Sequence, residues 1–287
     1  QDGCDFMCSF CVIPFARGRS RSRTMGNLLE EAAQLVARGA RELVLTGVNI
    51  GTYTYQGMTV LDVVDRLNDI DDLARIRISS IEPTTIPAEL FDRMNDPDHA
   101  LVPYLHIPLQ SGSNRVLKLM RRLYTREAFV EFIEHAYSSV PGICIGTDIM
   151  VGAPGESESD FEDTCDLLQN APISYAHVFK YSERDGTAAQ RFPNKVDGSE
   201  KNRRSAVIRR ISAQKLNELY ERYLGDTVLV LFESGEDGLW SGYTGNYIRV
   251  AVVSDGTLTN RVMSVRLDSV CGDFVMGTLM SEVMVEA

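Results

Sequence analysis

The sequence predicts a parallel α/β domain followed by a small all-β barrel, and the hydrophobic period carries that prediction. Between residues 24 and 181, short apolar runs alternate with amphipathic segments of helical spacing, which is typical of right-handed β-α-β units around a parallel sheet. After Gly225 the period changes to two, and five short segments separated by Gly, Asp and Asn follow. Three cysteines within the first eleven residues add a predicted metal site at the start of the chain.

Helices and strands alternate in order along the first predicted domain. The first helix spans 24–39, where Thr24 or Asn27 can cap its amino end and Gly39 can end it. Further helices are predicted near 60–67, 87–94, 115–120, 126–138 and 158–168, and strands at 42–46, 75–80, 104–107, 144–151 and 175–181. The cysteines should themselves follow a strand, so a sixth strand is expected before Gln1. Six such units fit an open or partial barrel.

A long helix and an all-β unit complete the chain. The helix is predicted over 201–224, and the strands of the barrel at 227–232, 240–244, 247–253, 261–267 and 277–285. The predicted domains are therefore 1–194 for the α/β unit, 195–224 for a linking helix and 225–287 for the small barrel.

The composition is that of an ordinary globular protein. Of the 287 residues, 44% are apolar and 24% are charged, and no apolar run reaches the length of a membrane span. No signal peptide opens the chain, and the six cysteines do not look like a disulfide framework, so a cytoplasmic protein without a membrane partner is expected. Because the chain begins on the cysteine run without a Met, we expect a fragment with sequence missing upstream.

Charge is distributed unevenly along the chain. The formal net charge of −11 argues against broad attraction to nucleic acid, and the last 63 residues carry nine acids against three arginines. Two basic segments interrupt this background, one with arginines at 17, 19, 21 and 23, and one on the long helix between 195 and 222. Each segment either contacts phosphate or forms a charged face in contact with solvent, and the sequence leaves both alternatives open.

The first three cysteines have the spacing of an iron–sulfur ligand set. Cys4, Cys8 and Cys11 form a C-x3-C-x2-C run on one short loop. Soft thiolates suit iron–sulfur clusters, and a set of three leaves one iron of a four-iron cluster open for a small molecule. A zinc site stays open as the alternative if a fourth ligand arrives from far along the chain, where His99 and Cys144 are the next candidates.

Polar segments, most of which contain glycine, follow the predicted strands. Because the carboxyl ends of parallel strands meet at one edge of a sheet, these segments should converge on the cysteine loop and form a ligand site. The segments are 46–49, 79–83, 108–113, 152–156 and 182–187.

On these motifs the chain resembles the radical S-adenosylmethionine (SAM) enzymes, in their methylthiotransferase branch. The resemblance rests on the C-x3-C-x-aromatic-C run within Gly-Cys-x3-Cys-x2-Cys-Val-Ile-Pro-Phe-x-Arg-Gly, and on segments 22–23, 45–49, 108–113 and 179–187. The terminal unit resembles the RNA-binding TRAM module of those enzymes. The resemblance covers nearly the whole chain and implies a partial (β/α)6 radical-SAM barrel followed by a small TRAM-like β-barrel.

The resemblance implies two cofactors. Cys4, Cys8 and Cys11 would hold a [4Fe–4S] cluster, and the amino and carboxylate groups of SAM would chelate its remaining iron. Reductive cleavage of SAM would give a 5′-deoxyadenosyl radical that abstracts hydrogen from the substrate. No catalytic side chain is assigned by the resemblance.

The SAM-binding residues are expected at the strand ends around the cluster. They are Phe10, through its backbone, for adenine; Thr46, Gly47 and Asn49 for the amino-acid moiety; Ser80 and Glu82 for the amino group or ribose; and Thr147 or Asp148 for ribose. Structural roles are the alternatives: Phe10 packing the loop, Glu82 capping a helix ahead of Pro83, and Asp148 with His106 in core hydrogen bonds. The cysteines at 144, 165 and 271 are expected to be free and buried.

Two features depart from the family pattern. The family carries an N-terminal domain whose own cysteines hold a second [4Fe–4S] cluster for sulfur handling, and that domain is absent here. The residues present should therefore cleave SAM without completing sulfur insertion. The acidic terminal unit is the second departure, because a negative charge does not suit the binding of phosphate. Either the arginine run and the long helix contact the RNA instead, or the barrel binds a protein.

The resemblance is greatest to the branch that transfers a methylthio group to C2 of N6-threonylcarbamoyladenosine next to the anticodon in tRNA. The opening Gln-Asp-Gly-Cys and the segments 19–23, 45–47 and 79–83 carry this choice. Isopentenyladenosine in tRNA is second, and an aspartate of a ribosomal protein is the remaining choice. The implied partners are tRNA and an electron donor such as flavodoxin or ferredoxin, and a monomer is expected. A metal-stabilised RNA-binding protein without catalysis is the alternative of a different class.

Overall fold

A computed structural model of the chain describes residues 1–280, and its first part contains five parallel strands. The strands are β1 (Glu42–Leu45), β2 (Arg75–Ile78), β3 (Tyr104–His106), β4 (Cys144–Val151) and β5 (Tyr175–Lys180). The helices are α1 (Ile13–Arg17), α2 (Met25–Ala37), α3 (Val60–Asn68), α4 (Glu89–Asn95), α5 (Asn114–Leu119), α6 (Arg126–Ser139), α7 (Glu158–Asn170) and α8 (Gly198–Arg222). The predicted alternation of helices and strands is therefore confirmed, and the short helix α1 is an addition to it.

The five strands form two sheets that meet between β2 and β3. Strand β1 pairs in parallel with β2, and β4 pairs in parallel with β3 on one side and β5 on the other. A single parallel bridge between Ile76 and Leu101 joins the two sheets, and the Ile76 amide donates to Ala100 O across 2.8 Å. The expected sixth strand, and with it the count of six β/α units, stays a prediction.

Helices cover the outer face of these sheets. Ile76, Ile78 and Leu105 point outward into a continuous apolar core, and each is fully buried. Their neighbours along the strands point to the opposite face because side chains alternate in β-structure. Two of the covering helices begin with a capping box, in which Thr59 or Ser157 exchanges hydrogen bonds with the acid three residues later. The outer face thus supplies the core, and the inner face is left for polar side chains.

Helix α8 packs along β5 instead of only linking two domains. The Ser212 hydroxyl accepts from Ala176 N across 2.8 Å and donates to Ala176 O across 3.0 Å. Nearer its amino end, Arg204 forms a buried ion pair with Glu156, 2.7 Å apart. Part of the basic character of this helix is therefore used inside the fold.

The terminal unit is a closed five-stranded barrel, as the sequence predicts. Its strands are β6 (Thr227–Glu236), β7 (Leu239–Thr244), β8 (Arg249–Val253), β9 (Val262–Cys271) and β10 (Phe274–Leu279), in the order β10-β8-β7-β6-β9. The prediction for the last strand, 277–285, is wrong at its start, because β10 begins after the tight turn at Gly272 and passes through Gly277 with a register shift. Its predicted end, 281–285, lies outside the described residues.

Two buried arginines fasten the small barrel to the amino ends of the parallel strands. Arg75 donates to Tyr243 O and Leu229 O across 2.7 and 2.8 Å. Arg77 donates to Gly245 O and Thr244 O across 2.9 and 3.2 Å. Tyr104, Cys144 and Tyr175, at the first positions of their strands, share one apolar cluster with the barrel. The carboxyl ends of the strands are consequently left open.

None of the helices described within residues 1–280 has both the length and the apolar character that a membrane crossing needs. All six cysteines are free. Cys144 is buried as expected, whereas Cys165 is half-buried and Cys271 is exposed near the end of β9, so the expectation of burial is wrong for Cys271.

Candidate metal centre and active site

The cysteine loop is held open by backbone contacts with the segment after α1. Cys4 N donates to Gly18 O across 3.1 Å, and Asp2 forms an antiparallel bridge with Arg21. Gly3 has a positive φ of 70°, and a Cβ there would overlap the carbonyl oxygen of Arg19. Only glycine fits this position, so the approach of the two segments depends on it.

The thiol of Cys11 interacts electrostatically with those of Cys4 and Cys8. Burial raises the pKa of Cys4 and of Cys8, and the charge of Cys11 adds to both shifts. Phe6 N donates to Cys4 Sγ across 3.4 Å. This donor favours the thiolate, which is the form that binds iron, and so offsets part of the effect of burial on Cys4.

The donor set fits an iron–sulfur cluster, whose corners are wider apart than the ligands of one ion. Three free thiols on a single loop are available, and each is partly accessible. Among residues 1–280, no group of three or more His, Cys, Asp or Glu side chains is arranged to hold a single metal ion. Cluster binding is therefore assigned on the thiol set and its spacing.

Phe10 packs the back of the cysteine loop. Its ring lies against a small apolar cluster formed by Val116, Met120 and Ala153. Next to it, Ser9 N donates to Met120 O across 3.0 Å, and Ala189 N donates to Ser9 O across 2.8 Å. The side chain of Phe10 thus has the structural role that was the alternative, and the adenine contact of its backbone stays a prediction.

Arg122 joins the cysteine loop to the carboxyl end of β2. Its Nη1 donates to Cys8 Sγ across 3.3 Å, and its Nη2 binds the carboxylate of Glu82. The Arg122 side chain is only 4% exposed, and that of Glu82 is 13% exposed. Burial disfavours the charge on Arg122, but Tyr124, Glu82 and Cys8 together raise its pKa. The guanidinium therefore stays charged beside the metal ligands.

Asn49 and Glu82 meet where the ends of β1 and β2 approach. Asn49 Oδ1 accepts from Glu82 N across 3.3 Å, which fixes the orientation of the amide. The Asn49 side chain is 1% exposed, and within residues 1–280 its Nδ2 has no hydrogen-bond partner. An unsatisfied buried donor costs free energy, and an acceptor oxygen of a ligand would satisfy it. This orphaned amide fits the predicted binding of a carboxylate at this position.

The remaining predicted SAM-binding residues divide into two groups. Thr46 and Ser80 follow β1 and β2 at their carboxyl ends and are at least partly exposed, and Gly47 lies so close to the carbonyl of Gln1 that a Cβ would crowd it. Thr147, in contrast, is fully buried, and its hydroxyl donates to Ile107 O across 2.7 Å and accepts from Leu109 N across 3.1 Å. Because Thr147 faces away from the site with its hydroxyl already used, we leave it out of the proposed SAM site.

Asp148 lies on the inner face of β4, on the side opposite to Thr147. Its Oδ1 is 2.9 Å from His106 Nε2, and its charge adds to the raised pKa of Glu82, for which burial is the main cause. Asp148 and Glu82 therefore face the same space. The hydrogen bond to His106 is the structural alternative, and the ribose contact of Asp148 stays a prediction.

The arginine run after the cysteines is neutralised by nearby acids. Arg17 and Arg21 both pair with Asp2, Arg19 lies 3.5 Å from Asp5, and Arg23 pairs with Glu31. All four guanidinium groups are exposed, and such exposed pairs contribute little to stability. Contact of this run with phosphate stays a prediction, and it would have to compete with these pairs.

Sequence reasoning missed Arg122, Tyr124 and His177. Arg122 and Tyr124 follow a predicted helix in a segment that looks polar, and nothing local shows that the Arg122 guanidinium is buried. His177 stands at an alternate position of a predicted strand, beside apolar neighbours. The alternation of inner and outer positions on that strand was the one signal that could have drawn attention to it.

Comparison with known proteins gives the class to which this fold and site correspond. The family model described as the Radical SAM superfamily matches residues 1–168. The chain belongs to the radical SAM superfamily. Proteins of this superfamily use a [4Fe–4S] cluster and SAM, and the thiols of Cys4, Cys8 and Cys11 would hold that cluster here.

The relatives narrow the comparison to enzymes that modify tRNA. The chain is 36% identical over 277 residues to threonylcarbamoyladenosine tRNA methylthiotransferase MtaB of Bacillus subtilis (strain 168), covering 93% of this chain and 61% of the relative. It is 33% identical over 274 residues to tRNA-2-methylthio-N(6)-dimethylallyladenosine synthase of Acetivibrio thermocellus, covering 93% of this chain and 57% of the relative. The chain thus spans about three fifths of the length of these relatives.

Solved structures support the fold alone. Methylornithine synthase (PylB) matches with a TM-score of 0.53 and 17% identity, over 73% of this chain and 60% of that one. Coproporphyrinogen III oxidase (HemN) of Escherichia coli matches with a TM-score of 0.51 and 18% identity, over 76% of this chain and 51% of that one. At identities of 17% and 18%, these likenesses support the fold and say nothing about the substrate here.

Proposed function

We propose that the protein containing this chain transfers a methylthio group to C2 of N6-threonylcarbamoyladenosine next to the anticodon in tRNA, by radical SAM chemistry. The observation that carries the proposal is the loop of Cys4, Cys8 and Cys11 at the open, carboxyl end of the parallel strands. The identity of 36% over 93% of the chain to a relative with that name supports the choice of nucleoside.

The chain's own residues would bind and orient the reacting groups. Bound at this loop, the cluster and SAM would together supply a 5′-deoxyadenosyl radical. Asn49 Nδ2 offers its free N–H to the amino-acid end of SAM, and Thr46, Gly47, Ser80 and Glu82 lie around the same strand ends. Ribose would lie towards Asp148, and adenine towards the backbone at Phe10. Arg122 holds a positive charge beside Cys8 and fixes the orientation of Glu82.

Isopentenyladenosine in tRNA is the second candidate substrate. The tRNA-2-methylthio-N(6)-dimethylallyladenosine synthase of Ruegeria pomeroyi is 39% identical over 238 residues, which cover 81% of this chain and 54% of that relative. The higher identity over a shorter match favours this alternative enough to test it beside the first.

Several partners follow from the proposal. tRNA would be the macromolecular substrate, and flavodoxin or ferredoxin would be the electron donor. The protein would act as a monomer in the cytoplasm. A second [4Fe–4S] cluster would be held by a further domain of the complete protein. For RNA, the exposed Arg184 and Arg191 are suitable, since their loop contacts the cysteine loop through Ala189 N and Ser9 O.

The test is nucleoside analysis of tRNA from a strain that lacks the gene. The methylthio group should be missing from threonylcarbamoyladenosine and should return when the full-length gene is supplied on a plasmid. A gene with Cys8→Ala should not restore it, whereas one with Cys144→Ala should. Loss of the methylthio group from isopentenyladenosine instead would select the second candidate, and an unchanged nucleoside profile would reject both.

A further inference from the structure

A row of polar side chains crosses the inner face of β3, β4 and β5. His106 Nε2 lies 2.9 Å from Asp148 Oδ1, and the ring centroids of His106 and His177 are 5.2 Å apart. His177 in turn lies 5.2 Å from the ring of Tyr175. In the strand register Asp148 is paired with His177, and Gly146 leaves the space that the Tyr175 ring occupies. These side chains therefore form one continuous row.

One end of the row reaches the candidate metal centre. Burial raises the pKa of the neighbouring Glu82, and the charge of Asp148 adds to that shift, so the two carboxylates interact. Glu82 binds Arg122, and Arg122 donates to Cys8 Sγ. Glu82 and Arg122 thus connect the His106–Asp148 pair with the cysteine loop.

The other end of the row is closed. The hydroxyls of Tyr104 and Tyr175 are hydrogen-bonded to each other across 2.6 Å. Tyr247 of the small barrel packs on Tyr104 with ring centroids 4.8 Å apart, and the Arg77 guanidinium lies 5.0 Å from both of these rings. The small barrel thus covers this end of the row.

His177 is the accessible member of this row. His177 is exposed, whereas His106 is only 6% exposed and is hydrogen-bonded to Asp148. Within residues 1–280, we find no hydrogen bond to the imidazole of His177, which has only ring contacts with His106 and Tyr175. Phe179, two residues further along β5 on the same inner face, is 51% exposed, so this face is open next to the imidazole.

We propose that His177, backed by the His106–Asp148 pair, is the specificity-determining group for the N6 substituent of the substrate nucleoside. It would select a substituent with hydrogen-bonding oxygen atoms, such as threonylcarbamoyl, over an apolar one. An oxygen acceptor can take the free N–H of His177, whereas an apolar group would bury the polar atoms of His177 without partners. A site that hydrogen-bonds its ligand rejects an analogue without those groups far more strongly than an apolar pocket does. This inference rests on the proposed function, because that function places the nucleoside in this space.

The test compares binding of three anticodon stem-loop RNAs to the full-length protein reconstituted with cluster and SAM. The RNAs carry threonylcarbamoyladenosine, isopentenyladenosine or unmodified adenosine at the same position. The wild-type protein should bind the first at least about 10-fold more tightly than the other two. His177→Leu should reduce that preference to about 2-fold or less, and His177→Gln, which keeps a donor, should restore part of it.

A matched control is His135→Leu, because His135 is an exposed histidine on the outer helix α6. It should bind all three RNAs as the wild type does. Circular dichroism of each variant checks the fold, and His177→Gln supplies the answer if His177→Leu does not fold. A preference that survives in both His177 variants, or a wild type that prefers the isopentenyl RNA, overturns the inference.

The same proteins separate this inference from the proposed function. If the wild type does not add a methylthio group to the threonylcarbamoyl RNA but binds it preferentially through His177, the proposed function fails and the inference stands. If the wild type modifies that RNA and His177→Leu discriminates as well as before, the inference fails and the proposed function stands.

Discussion

Arg122 Nη1 donates a hydrogen bond to the sulfur of Cys8 across 3.3 Å and so ties the segment after α5 to the cysteine loop. The same guanidinium binds Glu82, and both side chains are nearly inaccessible to water. A fixed positive charge and an N–H donor next to a thiolate ligand are two of the features by which a protein sets the potential of an iron–sulfur cluster.

Replacing Arg122 with Met should therefore lower the reduction potential of the cluster. Loss of the positive charge and of the N–H···S contact makes the reduced cluster less favourable. A redox titration of the reconstituted protein followed by electron paramagnetic resonance measures the shift. The exposed neighbour Arg121 is the control, and an Arg122→Met potential equal to that of Arg121→Met would contradict the role given to Arg122.

Arg122→Met should also reduce the free energy of unfolding by about 3–5 kcal/mol, because it leaves Glu82 buried without a cation. Urea unfolding measures this loss. The double variant Arg122→Met with Glu82→Gln should recover part of it, since the buried charge is then removed. If both proteins unfold at the same urea concentration as the wild type, the pair does not stabilise the fold.

Gly3→Ala should reduce the cluster content of the reconstituted protein. The added Cβ would overlap Arg19 O, and alanine is disfavoured at the positive φ of 70° found there. Iron and sulfide analysis measures the loss. Gly26→Ala is the control, since a Cβ at Gly26 meets no other atom within 4 Å. Full cluster content in Gly3→Ala would show that the loop can form without this close approach.

Arg77→Met should loosen the small barrel from the parallel strands. Arg77 is 3% exposed, lies 2.6 Å from Glu42, and donates to the carbonyls of Thr244 and Gly245. Its removal leaves these groups unpaired and should cost about 3 kcal/mol or more. Calorimetry should show earlier unfolding, and limited proteolysis should cut near Gly225. The exposed Arg66 provides the control variant, and an unchanged proteolytic pattern in Arg77→Met would contradict a fastened barrel.

Asp160 should make the fold sensitive to acid. Burial alone would raise the pKa of Asp160, but Arg115, Ser113 and Ser157 hold it below its ordinary value of 3.8. A carboxyl whose pKa is lower in the folded protein stabilises it above the ordinary value, and this contribution is lost as the pH falls below about 3.8. The free energy of unfolding of Asp160→Asn should therefore fall less steeply below that pH. Parallel curves for the two proteins would reject this source of acid sensitivity.

Local sequence patterns predicted the helices and strands of the fold. They did not predict the contacts between residues that are far apart in the sequence. The helices and strands follow from hydrophobic periodicity, and the cysteine loop follows from spacing, because both are properties of adjacent residues. The contact between Arg122 and Cys8 joins positions 114 residues apart. The hydrogen bonds from Arg75 and Arg77 to carbonyl groups of the barrel join residues that are still further apart in the sequence. The periodicity of hydrophobic residues carries no information on such partners.

One error in the barrel and one choice left open in the sheet have specific physical reasons. The predicted strand start at Gly277 is wrong because this glycine stands at a register shift inside β10, where a Cβ would crowd Val265 and Arg266 O. Thr147 and Asp148 were alternatives for the site, because neighbouring residues of a strand face opposite sides. Which of the two faces the site was set by the register of β4 with β3 and β5.

The most direct test of the radical SAM site is anaerobic reconstitution of the full-length protein with iron and sulfide, with its other cluster ligands intact, followed by reduction in the presence of SAM. Formation of 5′-deoxyadenosine by the wild type and by Cys144→Ala, and its loss in Cys4→Ala, Cys8→Ala and Cys11→Ala, is the predicted result. Cleavage of SAM that persists without Cys8, or a wild type that forms no cluster and no 5′-deoxyadenosine, would contradict the assignment of the cysteine loop.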